Sequence, residues 1–269
     1  MTLELPQPFT AISSDVVNSS AGGYPRHTDL GTAAEATITA GIERCRYAGT
    51  WIRSGRGDGE LTLAPANVPS AWLLTEFVDS LRVTLLDYNR NKDAEHKLRL
   101  RVGIDSGDVH VDQHGVPRGG DAIVVSARLR DSTAAREALA AIPSAPLVVV
   151  LSDRTYQRAV PYGALGLEER QFRRVLARVQ GKEFAEVCWL HVPGHQPPFV
   201  TGAQHEPSPP PAPEPPPAAA TAGPSTNPAP GGAQPGSART GDVTVHGIAA
   251  VDRSIAVNHG GIHFGENAR

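Results

Sequence analysis

The stretch Gly55-Arg56-Gly57-Asp58-Gly59-Glu60-Leu61-Thr62-Leu63 sets one aspartate between glycines, ahead of an alternating Leu/Thr/Leu run. Three chemistries suit it: an ordinary hairpin turn, an oxygen ligand for a hard cation, or an adhesion-type Arg-Gly-Asp triplet. Asp105, Asp108 and Asp112 form a second acidic set around a later hairpin. Alternation along a strand spreads them over both faces, so they read as solvated turn residues. His110 and His114 lack a third ligand partner and read as ordinary strand and turn residues. Cys45 and Cys188 are the only cysteines, one in a helical pattern and one in a strand pattern. They read as buried thiols rather than as a disulfide or a zinc site.

A chain of 269 residues, 40% hydrophobic, is long enough for one large domain or two small ones with a real core. The net charge of −3 provides no basic field for nucleic acid. No run of about 18 apolar residues is present to span a membrane. Neither nucleic acid nor membrane is therefore expected as a partner. The N-terminus MTLELPQPFT lacks the cationic start and apolar centre of a signal peptide, which makes a cytoplasmic location the expectation.

Periodic apolar patterns extend over residues 8–194, the expected folded body. From Pro207 to Pro235, 12 of 29 residues are proline and only Glu214 is charged. Such a segment cannot bury enough surface to fold, so residues 195–239 are expected to be a disordered, partly polyproline-like tether. Residues 240–269 are β-prone, with short alternations such as Val243-Thr244-Val245-His246 and Ile255-Ala256-Val257-Asn258 between glycines and asparagines.

Within the body, residues 10–17 suit a strand and 28–47 a helix through Ala34, Ile38, Ile42 and Cys45. Residues 51–53 and 60–63 flank the glycines as a hairpin. Ser70 suits the N-cap of an amphipathic helix with Leu74, Phe77, Val78, Leu81 and Leu85 on one face. Residues 97–104 alternate as a half-buried strand, and 108–112 are expected to pair back on it. Residues 121–136 read as one helix, 147–151 as a fully buried strand, 154–160 as a short helix and 187–192 as a closing strand. The mixture predicts an α+β sandwich, with helices on one face of a mainly antiparallel sheet.

The order of strand, helix, Gly-Asp hairpin, helix, "KLRLRVGIDSGDVH", "GGDAIVVSARLRD" and "VVVLSDRTY" resembles the class III nucleotide cyclase (adenylate/guanylate cyclase) homology domain. The nearest likeness is to an actinobacterial branch whose hairpin reads Arg-Gly-Asp-Gly. The resemblance implies a ferredoxin-like core that dimerises, with a nucleoside triphosphate bound across the interface. It also implies two aspartates holding two Mg²⁺ or Mn²⁺ ions that align a 3′-hydroxyl with the α-phosphate. Asp15, in "ISSDVVNSS", matches the first metal aspartate, and Asp58 matches the second. Arg128 matches the arginine that stabilises the transition state. Val179-Gln180-Gly181-Lys182 is similar to the family's Val-Lys-Gly-Lys segment, which makes Lys182 a candidate phosphate contact, and Arg56 is a candidate nucleotide contact beside the hairpin aspartate.

Several positions depart from the family pattern. Val124 stands where active cyclases carry the ribose-orienting asparagine, and a valine neither donates nor accepts. The base-reading lysine position falls on Ser54, with Arg53 and Arg56 as nearby substitutes. The base-reading acid or threonine position falls near Pro117. The loop "DVVNSSAGGYPRHTD" is longer than the family's. Two explanations fit: a degenerate cyclase that binds nucleotide weakly or only dimerises, or a divergent one with another base preference, as in the pyrimidine cyclases of antiphage systems.

The last residues, "VDRSIAVNHGGIHFGENAR", resemble the C-terminal amyloid-signalling motifs of multicellular bacteria. Arg253, Ser254, Ile255, Val257, Gly260, Gly261, Ile262 and Gly265 carry the match. Short Val/Ile segments of low charge can stack as cross-β arches; a disordered Gly-rich tail or a small hairpin are the alternatives. The combined expectation is a signalling or defence protein. Its dimeric cyclase-homology body is tethered to a self-association motif, which recruits a partner with a matching tail, such as an NTPase-type sensor. The alternatives are an active cyclase and a non-catalytic dimerising protein.

Overall fold

The structure, a computed structural model, describes residues 5–19, 23–47, 49–56 and 59–201. Asp58, the Arg56 side chain, and residues 202–269, which hold the rest of the expected tether and the tail with its self-association motif, lie outside the described residues.

Strand β1 (Gln7–Val16) carries Ala11, Ile12, Ser13, Ser14 and Val16 in succession as buried residues, the pattern of a strand covered on both faces. Helix α1 (Gly23–Glu43) follows, then the hairpin of β2 (Ile52–Arg56) and β3 (Gly59–Pro65). A short helix α2 (Ser70–Trp72) continues through a wider-wound stretch, Leu73–Phe77, into α3 (Val78–Asn89). Ser70 is the first helical residue rather than the cap. The extended Pro69 precedes it and no side chain caps the end, since the fixed φ of proline already sets the chain for helix entry. Leu74, Phe77, Val78, Leu81 and Leu85 are all buried, as their spacing predicts.

Strand β4 (Leu100–Val111) runs twelve residues without turning. Residues 108–111 therefore extend the strand instead of pairing back on it. The return is made by β5 (Pro117–Gly119), after a turn in which the Asp112 carboxylate accepts from the His114 and Val116 N–H groups. Residues 121–136 form two helices, α4 (Asp121–Arg130) and α5 (Thr133–Ala141). Ser132 breaks them by taking an extended conformation, and its Oγ accepts from Ala135 N at 3.2 Å. A side chain able to cap a new helix competes with continuing the old one. Strand β6 (Leu147–Ser152) is buried throughout, and helix α6 (Asp153–Ala159) is capped by Ser152. Strands β7 (Phe172–Arg178) and β8 (Ala185–His191) close the sheet.

The sheet order is β2-β3-β1-β4-β6-β8-β7, with β5 beside β4. Every pairing is antiparallel except that of β4 with β6. The fold is thus α+β, a mainly antiparallel sheet with helices packed on it. Ile12, Val16, Leu100, Val102 and Ile104 meet Leu30 and Ile38 of α1 and Leu81 and Leu85 of α3. The other face is covered too, contrary to the one-sided arrangement expected. Ala11, Leu61 and Leu63 pack with Ala122 and Ile123 of α4, and Val148, Val150 and Leu190 with Ala134 and Ala138 of α5. Gly103 in β4 permits this second layer. A Cβ there would lie 2.0 Å from the Ser126 carbonyl oxygen and 2.7 Å from Arg130 N, so α4 rests directly on the strand backbone. Ser13 Oγ and Ser126 Oγ share a buried hydrogen bond of 3.1 Å across the contact.

Neither cysteine forms a disulfide. Cys188 is buried and its thiol is pushed up to about 12 by burial; Cys45 is half-buried, just past the end of α1. Among the described residues no helix is long and apolar enough to cross a membrane.

Candidate functional site

At the end of β1, the ladder sets Asp15 directly across from Gly59 of β3 and, on its other side, Arg101 of β4. The Asp15 Oδ2 accepts from Arg101 Nη2, and the two side chains are only 13% and 16% exposed. The Arg101 Nε is buried without a hydrogen-bond partner. A guanidinium has five donors in a rigid fork, so this arginine is anchored by one carboxylate rather than saturated. Asp15 and Ser13 point toward α4 and form, with Gly59, Glu60 and Leu61, one wall of a cleft of about 150 Å³. Ile123, Ala127 and Arg130 of α4 form the other wall. The cleft is smaller than the roughly 300–1,000 Å³ of a pocket for a whole drug-sized ligand, and suits a compact charged group.

Arg130 donates from Nη1 to the Ser14 carbonyl at 3.3 Å, and from Nε and Nη2 to Asp131 at 2.9 and 3.1 Å. Arg128 lies roughly 200° away around the helix and takes another direction. Its Nη1 is 3.4 Å from the Glu183 carbonyl and its guanidinium 5.5 Å from the Phe184 ring. The β7–β8 turn that receives it also carries the exposed Lys182. The structure therefore groups Arg128 with the Lys182 turn and groups Asp15 with the Gly59 end of the hairpin. Asp58 precedes Gly59 in the chain but lies outside the described residues, as does the Arg56 side chain.

Positions that depart from the cyclase pattern stay apolar or engaged. Val124 is 48% exposed on α4, and Pro117 lies in β5. Arg53 is no free substitute for a base-reading lysine. It donates from Nε and Nη2 to the Glu60 carboxylate at 2.6 and 2.7 Å and from Nη1 to Thr39 Oγ1 at 2.7 Å. The Glu60 hydrogen bond raises its already high pKa.

Asp105 overturns the reading of the second acidic set as solvated. It is fully buried, and Arg154 of α6 grips it with Nε on Oδ1 at 2.5 Å and Nη2 on Oδ2. Asp108 is exposed, and Asp112 is the turn-former described above.

A hard divalent cation takes six or more oxygen ligands, usually with several carboxylates. Among the described residues no group of three or more His, Cys, Asp or Glu side chains is gathered that could hold a metal ion. The two carboxylates at the cleft already have guanidinium partners, Asp15 in Arg101 and Glu60 in Arg53. The described residues alone do not complete a metal pair, and Asp58, its expected second ligand, lies outside them.

Sequence reasoning did not single out Arg101 or Arg130, which fall within the alternating strand over 97–104 and the helix expected over 121–136. The signal for both was Gly103: a glycine inside a strand marks a close backbone approach, which fixes how α4 lies on the sheet.

No family model matches the chain, and no curated protein is similar to it. Solved structures do match. The adenylate/guanylate cyclase/hydrolase from Silicibacter pomeroyi is 18% identical, over 70% of this chain and 98% of that one, at a TM-score of 0.48. The adenylyl cyclase CyaB from P. aeruginosa is 15% identical over 73% and 100% of the two chains, at 0.49. Adenylate cyclases from Trypanosoma brucei, in their monomeric state, are 16% identical over 70% and 92%, at 0.48. This chain is thus similar in structure to nucleotide cyclase domains at low sequence identity.

Proposed function

We propose that this chain is a signalling or defence protein whose body, residues 8–194, is a divergent nucleotide cyclase-homology module. It recognises a nucleoside triphosphate at the Asp15 end of β1 and cyclises it slowly or not at all. A tether over residues 195–239 carries a self-association motif over residues 240–269, which meets a partner with a matching tail. The observation that carries the proposal is Asp15 placed directly across from Gly59 while ion-paired to Arg101. Residues far apart in the chain converge at one strand end, and a guanidinium there suits phosphate oxygens. Val124, on the helix that also carries Arg128, gives no polar contact to a ribose. On the same reading the body works as a homodimer.

The purified chain, incubated with each of the four nucleoside triphosphates and Mn²⁺, is expected to bind at least one while yielding little cyclic mononucleotide by mass spectrometry. Val124→Asn is expected to raise product by about 100-fold, the usual worth of one polar transition-state contact. Rapid cyclisation by the unaltered chain, lost in Asp15→Ala, would instead establish an active cyclase.

A further inference from the structure

Strands β1 and β3 meet the end of α4 around the Arg130 guanidinium. Asp131 holds it by a two-point hydrogen-bonded contact, which leaves Nη1 aimed at the Ser14 carbonyl, 116 residues away in sequence. The strands on either side of β1 make room for it. A Cβ on Gly59 of β3 would sit 2.6 Å from the Ser14 carbonyl oxygen and 3.4 Å from Arg130 Nη1. A Cβ on Gly103 of β4 would sit 2.7 Å from Arg130 N. Any side chain at residue 59 would press on both partners of the arginine–carbonyl contact, and one at residue 103 would lift the helix that carries the arginine.

We infer that Arg130 is a positioning residue for Asp15, acting through the Ser14 carbonyl. The peptide unit is planar and stiff, so fixing the Ser14 oxygen fixes where the Asp15 Cα sits near the end of β1. Arg101 holds the other end of the same residue, its carboxylate, from β4. Asp15 is thereby clamped at both ends, and its carboxylate is presented to the cleft shared with α4. Asp131 in turn keeps Arg130 from swinging out to solvent. The inference rests on the triphosphate reading only for what the presented carboxylate finally meets.

The test uses the full-length chain with carboxyl-¹³C aspartate, the Asp15 resonance being assigned by its loss in Asp15→Asn. Arg130→Gln and Asp131→Asn are expected to displace that resonance while far-UV circular dichroism stays unchanged, and Arg130→Lys to restore part of it. ATP, GTP, CTP and UTP, each with Mn²⁺, are the binding probes. Whichever binds the unaltered chain is expected to bind Arg130→Gln about tenfold more weakly, the scale of one hydrogen bond to a charged group. An unmoved Asp15 resonance in folded Arg130→Gln and Asp131→Asn overturns the inference, whatever the binding. If the unaltered chain binds no triphosphate, the functional reading falls, while the carboxyl resonance still decides the role of Arg130.

Discussion

Gly103→Ala is expected to destabilise the body by about 3 kcal/mol, a fall in Tm of roughly 6–12 °C. The atoms a methyl group would meet are the Ser126 carbonyl carbon and oxygen and the Arg130 nitrogen, all of them backbone. No rotamer change can relieve such an overlap; helix α4 has to lift from β4 as a unit. Lifting it separates Ile123 and Ala122 from Ala11 and Leu61 and breaks the Ser13–Ser126 hydrogen bond. It also withdraws Ile123, Ala127 and Arg130 from the Asp15 cleft, so triphosphate binding should fall together with stability. Gly31→Ala is the control. It lies inside α1 with nothing within 4 Å of an added Cβ, so replacing it should stabilise the chain by about 0.5–1 kcal/mol through the better helix propensity of alanine. Thermal unfolding of the two variants beside the unaltered chain checks both signs.

Arg154→Ala is expected to cost about 3 kcal/mol by removing the only charged partner described for a fully buried carboxylate. The figure sits at the low end of the usual range because the Arg154 side chain is itself 44% exposed, so water can follow once it is truncated. Asp105 raises the Arg154 pKa through their hydrogen bond, so the guanidinium keeps its charge at neutral pH. The damage should be largely electrostatic. Asp105→Asn combined with Arg154→Ala is therefore expected to be more stable than Arg154→Ala alone, because it replaces an unpaired buried charge with a neutral amide. Urea unfolding of the two single variants and the double variant gives the coupling. Equal stability of Arg154→Ala and the unaltered chain would mean that Asp105 is satisfied by other groups.

These two sites also show where the sequence was readable. Strand β6 was legible because a parallel strand covered on both faces needs an unbroken apolar run, which Leu147–Leu151 supplies. The buried stripe of α3 was legible because helical spacing alone puts Leu81 and Leu85 on one side. Strand β7 was not. Arg173 and Arg174 stand side by side between Phe172 and Val175 and interrupt the alternation, and pairing with β8 decides the matter instead. Asp105 was misread because its partner lies 49 residues further along. A charged residue in an alternating strand looks solvated until the arginine that folds over it is known. The end of β1 was anticipated through the likeness of Asp15 to a metal aspartate, but its observed neighbour is Arg101, a cross-strand partner set by register rather than by any local motif.

The convergence of Asp15, Arg101 and the Gly59 end of the hairpin into one triphosphate-binding place is tested most directly by backbone amide NMR during titration with each nucleoside triphosphate. The expected result is that the largest shifts fall on Asp15, Gly59 and Arg101 together and saturate with one common dissociation constant. Saturable shifts confined to other parts of the body, with these three amides unmoved, would contradict it.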